Sequence, residues 1–223
     1  ANPGYRDFWV AGEILKGKMA NENVSLDVTP ASRQLLENLS INGVLQNLIH
    51  SGARLHQAGC MGCIGMGQAP ASNRISLRTV PRNFPSRSGT KDDLVYLVSP
   101  ETAAASALTG KITDPRDLES IYGMRYPQFK EPEKEVINTQ MLVAPPEDGR
   151  DIKIEKGPNI QSFPTFEKVK DYYRLPVLLK MKDNVSTDEI LKAGAEVLPF
   201  RSNIPEISKF SFIVIDSTFY DRA

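Results

Sequence analysis

Between Gly59 and Gly67, four glycines are interleaved with the only two cysteines of the 223-residue chain, in the run Gln57-Ala58-Gly59-Cys60-Met61-Gly62-Cys63-Ile64-Gly65-Met66-Gly67. Backbone this rich in glycine turns tightly and lets other groups approach closely, so the run belongs to a loop. Two thiols at this spacing can hold one metal centre, and the glycine N–H groups can point at sulfur or at an anion. Four chemistries fit. A redox dithiol uses Cys-x-x-Cys at a helix start. A structural zinc needs four ligands and would have to draw on His50, His56 or carboxylates. A buried pair of thiols can be purely structural. An iron–sulfur cluster would take further ligands from elsewhere. The spacing alone does not choose among them. Cysteines this close cannot staple a secreted scaffold, which points to a reducing, cytoplasmic setting.

A second loop follows closely. Arg82 and Arg87 lie in Pro81-Arg82-Asn83-Phe84-Pro85-Ser86-Arg87-Ser88-Gly89, bounded by proline and glycine and preceded by the strand-like run Ile75 to Val80. Guanidinium groups in such a turn can present planar forks to carboxylates, or they can form a solvated basic loop. A metal centre beside anion-binding arginines suits a polycarboxylate.

Around these loops the pattern alternates. Tyr5, Phe8, Trp9, Ala11, Ile14 and Leu15 recur at helical spacing up to Gly17. Val24, Leu26 and Val28 alternate as in a short strand. Thr29-Pro30 offers an N-cap and a first-turn proline for a helix through Leu35, Leu36 and Leu39. Val44, Leu45, Leu48 and Ile49 continue it beyond a break at Gly43. Val95 to Val98 reads as another strand, and Ser99-Pro100-Glu101 opens an alanine-rich helix that Gly110 can end. This order predicts a layered α/β domain. From about Glu131 to Phe166, prolines are scattered among charges with little periodicity, as in a linker. A second unit then reads as a strand over Val177 to Met181, a turn and short helix over Ser186 to Ala193, and a strand over Phe210 to Ile215.

Basic and acidic residues balance at 27 each, which argues against a nucleic-acid binder, and no apolar run approaches a membrane span. The chain lacks an initiator Met and closes just after a strand-like run, so it reads as an internal segment of a larger protein.

Three motifs in order, Gly59-Cys60-Met61-Gly62-Cys63-Ile64-Gly65, Arg82-Asn83-Phe84-Pro85-Ser86-Arg87 and Ser99-Pro100-Glu101-Thr102-Ala103-Ala104-Ala105, resemble the consecutive signatures of the aconitase superfamily. Asp183-Asn184-Val185-Ser186-Thr187-Asp188-Glu189-Ile190, followed by Phe200-Arg201, resembles the opening of that family's swivel domain. The resemblance implies an α/β/α cluster-binding domain over residues 1–130, a linker over 131–166 and the start of a swivelling β/α domain over 167–223. It implies that Cys60 and Cys63 are two of three ligands of a [4Fe-4S] cluster. Arg82, Arg87 and Arg201 would bind substrate carboxylates, and Asp188 would be a catalytic residue. The third cysteine and a serine loop would lie outside the chain, in the missing remainder of the same polypeptide, so the segment alone is expected to be inactive.

The activity implied is a hydro-lyase of the tricarboxylic acid cycle, isomerising citrate and isocitrate. Homoaconitase and isopropylmalate isomerase are the near alternatives; a non-catalytic RNA-binding module and a redox dithiol are the distant ones. A swivel-like segment in the same chain favours aconitase architecture over isopropylmalate isomerase. Two positions depart from the family pattern: Pro81 stands where many members have asparagine, and Glu189 where many have histidine.

Overall fold

The computed structural model describes residues 3–158, 160–194 and 196–223. They form two compact units, 1–144 and 145–223.

The first unit is built around α1 (Tyr5–Leu15), which packs on α3 (Val44–His50) and α4 (Pro100–Thr109). Its residues Val10, Ile14 and Leu15 share one face at helical spacing and are fully buried. Gly12 lies on the side of α1 that meets α3, where an added Cβ would stand 3.0 Å from Val44 Cγ1, so the missing side chain lets the helices close. Leu39 of α2 (Arg33–Ile41), Leu48 of α3 and Ala105 of α4 complete the same core.

Two short parallel pairs flank these helices. β1 (Asp27–Val28) pairs with β2 (Arg54–Leu55), and α2 and α3 form the crossover between them. β3 (Ile75–Arg78) pairs with β4 (Leu94–Leu97) from Ile75↔Leu94 to Arg78↔Leu97, joined by the arginine loop. The architecture is mixed α/β.

Local expectations are met with shifted boundaries. The strand expected through Val80 ends at Arg78, because β4 gives way at Ser99 and Pro100 to the start of α4 and leaves no partner beyond that rung. Ser99 Oγ accepts from Thr102 N at 3.1 Å, and left-handed Gly110 closes the helix. α2 starts at Arg33 with Ser32 as its cap, not at Thr29-Pro30. Those two residues are engaged elsewhere: Pro30 O accepts from Gly59 N at 2.9 Å, and Thr29 Oγ1 accepts from Gln68 Nε2 at 2.8 Å. A tertiary tie outcompetes the local cap.

After β4 and α4, a 3-10 turn at Pro115–Asp117 leads into α5 (Leu118–Tyr122). Residues 131–144 then hold neither helix nor strand and turn at Thr139–Leu142, and 134–138 lie along α2.

The second unit carries short helices α6 (Thr187–Ile190), α7 (Ile204–Ile207) and α8 (Phe219–Arg222). Neither strand expected here forms. Val177 to Met181 is irregular, with Val177 82% exposed, and Phe210 to Ile215 is a turn with one antiparallel bridge, Leu191↔Ser211. A strand needs a neighbour to satisfy its N–H and C=O groups, and within this unit only that single bridge is found among the described residues. Phe212 turns left-handed at φ 58° and meets Phe219 edge-on at 4.7 Å between ring centroids. No helix among the described residues is long and apolar enough to cross a membrane.

Candidate metal and anion site

The cysteine loop hangs from the end of β2 and folds back over the end of β1. Cys60 is exposed, and Cys63 lies buried in a 3-10 turn, Gly62–Ile64. Their sulfurs are 3.8 Å apart, well beyond the ~2.05 Å of a disulfide. Two arginines reach the loop. Arg78, the last residue of β3, donates through Nη1 to Gly62 O at 2.9 Å and through Nη2 to Gln68 O. Burial pulls its guanidinium below the ordinary value, against the opposing charges of Asp93, Asp27 and Cys63.

Arg87 approaches from the arginine loop. Its side chain is 6% exposed, lies over the Phe84 ring with Cζ 5.7 Å from the centroid, and places Nη2 3.9 Å from Cys63 Sγ. Its Nε and Nη1 are buried without a hydrogen-bond partner among the described residues, as is Ser88 Oγ. A buried guanidinium with open donors is costly unless an anion meets it. The fit between loops is set at Gly65, at φ 83°. An alanine Cβ there would overlap the Ser88 carbonyl group and lie 2.9 Å from Gly89 Cα.

Burial, then the hydrogen bond with Cys60 and the charge of Cys60, push the Cys63 thiol up, while Arg87 pulls it down. A reactive redox dithiol needs the opposite, a thiol made more acidic. His56 Nε2 lies 2.7 Å from Asp27 Oδ1 and ties β2 to β1, while His50 stands exposed at the end of α3. No group of three or more His, Cys, Asp or Glu able to hold a metal occurs among the described residues. Cys60, Cys63, Arg74 and Arg78 share a cavity of about 1010 Å³ with apolar Phe8, Leu26 and Leu48.

Of the residues picked from the sequence, the structure brings Cys60, Cys63 and Arg87 together. Arg82 is exposed at the start of its turn, and neighbouring Asn83 donates to Val95 O at 2.7 Å, fixing the turn to β4. Pro81 is exposed beside it. Asp188 and Arg201 lie in the second unit. Asp188 is half-buried in the first turn of α6, and its N–H donates to Ser186 Oγ at 3.1 Å. Glu189 accepts from Ser186 N at 2.6 Å, so the glutamate at this position closes a capping box. Arg201 is exposed after the 3-10 turn Leu198–Phe200. Sequence reasoning missed Arg78, which read as an ordinary strand residue; only its distance-spanning bonds to Gly62 and Gln68 reveal it.

Residues 1–110 match the family model "Aconitase family (aconitate hydratase)". The chain is 44% identical over 117 residues to 3-isopropylmalate dehydratase large subunit 1 of Methanopyrus kandleri, covering 52% of this chain and 28% of that subunit. It is 42% identical over 118 residues to the probable methanogen homoaconitase large subunit of Methanosarcina mazei, covering 52% and 29%. It is 38% identical over 118 residues to the mitochondrial homoaconitase of Candida albicans, covering 52% and 17%. The chain thus spans less than a third of the length of these relatives. Residues 1–110, which hold both the cysteine and the arginine loops, belong to the aconitase superfamily.

Proposed function

We propose that this chain carries part of the active site of an iron–sulfur hydro-lyase acting on a hydroxy acid with two or three carboxylates. The observation that carries the reading is Arg87: a buried guanidinium with two unpartnered nitrogens, packed against a cysteine sulfur. That arrangement calls for an anion, and a thiolate-bound cluster or a substrate carboxylate answers it.

Cys60 and Cys63 would hold a [4Fe-4S] cluster together with a third thiolate from outside these residues. When bound, it supplies a Lewis-acidic iron for the substrate hydroxyl. Arg87 would donate from Nε and Nη1 to the bound anion, and Arg82 would hold a carboxylate at the exposed end of the same turn. Arg78 positions the loop by clamping the Gly62 and Gln68 carbonyls. For the second unit, the same resemblance supports Asp188 as an acid–base group and Arg201 as a carboxylate binder of a swivel segment. The layered α/β/α arrangement, the linker role of residues 131–166, a cytoplasmic setting and inactivity of the 223 residues by themselves belong to this reading.

On substrate, the relatives favour the alternative over the citrate–isocitrate expectation. Their names point to 3-isopropylmalate and to the homoaconitase reaction.

A chimera tests the proposal. Residues 1–110 replace the matching stretch of the Methanopyrus enzyme, and the assembled enzyme is reconstituted with iron and sulfide. Cluster absorbance and turnover are then measured on 3-isopropylmalate, homocitrate and citrate. Cys63→Ser is expected to lose both absorbance and turnover, and Arg87→Leu to lose turnover. Retention of absorbance and activity by Cys63→Ser would refute the ligand role.

A further inference from the structure

Side-chain amides of Gln34 and Asn38 on α2 and of Asn42 at its C-cap hydrogen-bond to peptide backbone. Gln34, Asn38 and Asn42 repeat every four residues and so form one stripe along the helix. Residues 134–138 lie extended against it. Asn38 Oδ1 accepts from Val136 N at 2.9 Å while its Nδ2 donates to Val136 O at 3.1 Å. Asn42 repeats the pattern one turn on, accepting from Lys134 N at 3.4 Å and donating to Lys134 O at 2.8 Å. Gln34 Oε1 accepts from Asn138 N at 2.8 Å, and its Nε2 donates to Val136 O. The Asn38 and Asn42 carboxamides each stand in for the edge of a neighbouring strand, and Gln34 bridges Asn138 N and Val136 O.

The repeats match. Four helical residues advance about 6.0 Å, and two extended residues about 6.6 Å, so successive amides meet alternate residues. In extended chain, alternate residues turn both N–H and C=O to the same side. The segment runs antiparallel to α2, with 138 at Gln34 and 134 at Asn42. One side-chain bond joins the ladder, from Asn138 Nδ2 to Glu37 Oε2 at 3.1 Å. The backbone supplies the rest. Ile137, between the clamped rungs, is 80% exposed.

We propose that α2 is a sequence-independent clamp for extended backbone, occupied by residues 134–138 of this chain, and that it fixes where the polypeptide leaves the first unit. The inference does not depend on the cluster or the substrate.

Amide hydrogen exchange resolved to single residues tests it on the whole chain. The expected signature is a two-residue alternation: Val136 and Asn138 exchange at least about tenfold slower than Glu135 and Ile137. Val136→Pro removes one donor from the strap without touching the core, and should bring Asn138 to the rate of Ile137. Asn38→Leu should do the same, with α1 amides unchanged as the check that the unit remains folded. Val136→Thr should keep the alternation. Uniform exchange across 134–138 in the unaltered chain would overturn the clamp. Loss of protection in Val136→Thr would overturn its independence of sequence.

Discussion

Gly65→Ala separates two contributions that the cysteine loop combines. Gly65 has φ 83°, and an L-residue held left-handed is strained by ~1–2 kcal/mol. The new Cβ would also press on the opposite loop, 2.7 Å from the Ser88 carbonyl carbon and 2.9 Å from Gly89 Cα, where roughly 3.5–4.0 Å is comfortable. Both neighbours are backbone, so no side chain can swing away. The loops must part by about 1 Å, and forced overpacking of this kind costs ~1–3 kcal/mol. Gly67→Ala is the matched control. It has φ 74° but its nearest neighbour is His56 Nδ1 at 3.5 Å, so it pays for strain alone. The expected gap between the variants is therefore ~1–3 kcal/mol. Thermal unfolding followed by circular dichroism should place the Gly65→Ala midpoint below that of Gly67→Ala, by about 4 °C per kcal/mol. Because parting the loops uncovers Cys63, its alkylation should quicken in Gly65→Ala and not in Gly67→Ala. Melting points within about 1 °C of each other, with equal alkylation rates, would show that the loops do not interlock at Gly65.

Iodoacetamide should modify Cys60 before Cys63 in the metal-free chain, since Cys60 is exposed, Cys63 is 8% exposed and burial pushes its thiol up; peptide mapping that finds Cys63 first would contradict the site geometry. Ser99→Ala removes the α4 cap and should cost ~1 kcal/mol, read from denaturant midpoints, whereas Ser99→Asp should restore most of it. Glu101 should make the first unit acid-sensitive. Burial alone would raise its carboxyl, but hydrogen bonds from its own N–H, Tyr126 and Ser99, with the charge of Arg6, outweigh that and hold it below the ordinary 4.5. Its folded value is depressed, so the stability it contributes is full above about pH 4.5 and is lost as pH falls through the folded value. Glu101→Gln should flatten that part of the stability–pH curve; an unchanged acid slope would assign the sensitivity elsewhere.

Much of the first unit was legible in the chain itself. α1 and α4 could be read because their determinants are local: apolar residues at helical spacing, Ser99-Pro100 at a start, Gly110 at an end. The cysteine and arginine loops could be picked out for the same reason, since glycine, proline and paired thiols mark a loop whatever surrounds it. The second unit was misread where it depended on partners. Val177 to Met181 and Phe210 to Ile215 have strand-like composition, but a strand exists only when another backbone meets it.

Three-dimensional packing decided the remainder. It moved the start of α2 from Pro30 to Arg33 by engaging Thr29 and Pro30 with Gln68 and Gly59. It turned Arg78 from a strand residue into the clamp of the cysteine loop. It made Arg87, rather than Arg82, the guanidinium buried at Cys63. None of these follows from residue type, because each depends on groups distant in sequence meeting at hydrogen-bonding range. Local sequence sets which conformations a segment can adopt; which one it takes, and which side chains then lose their water, is fixed by the neighbours that the fold brings to it.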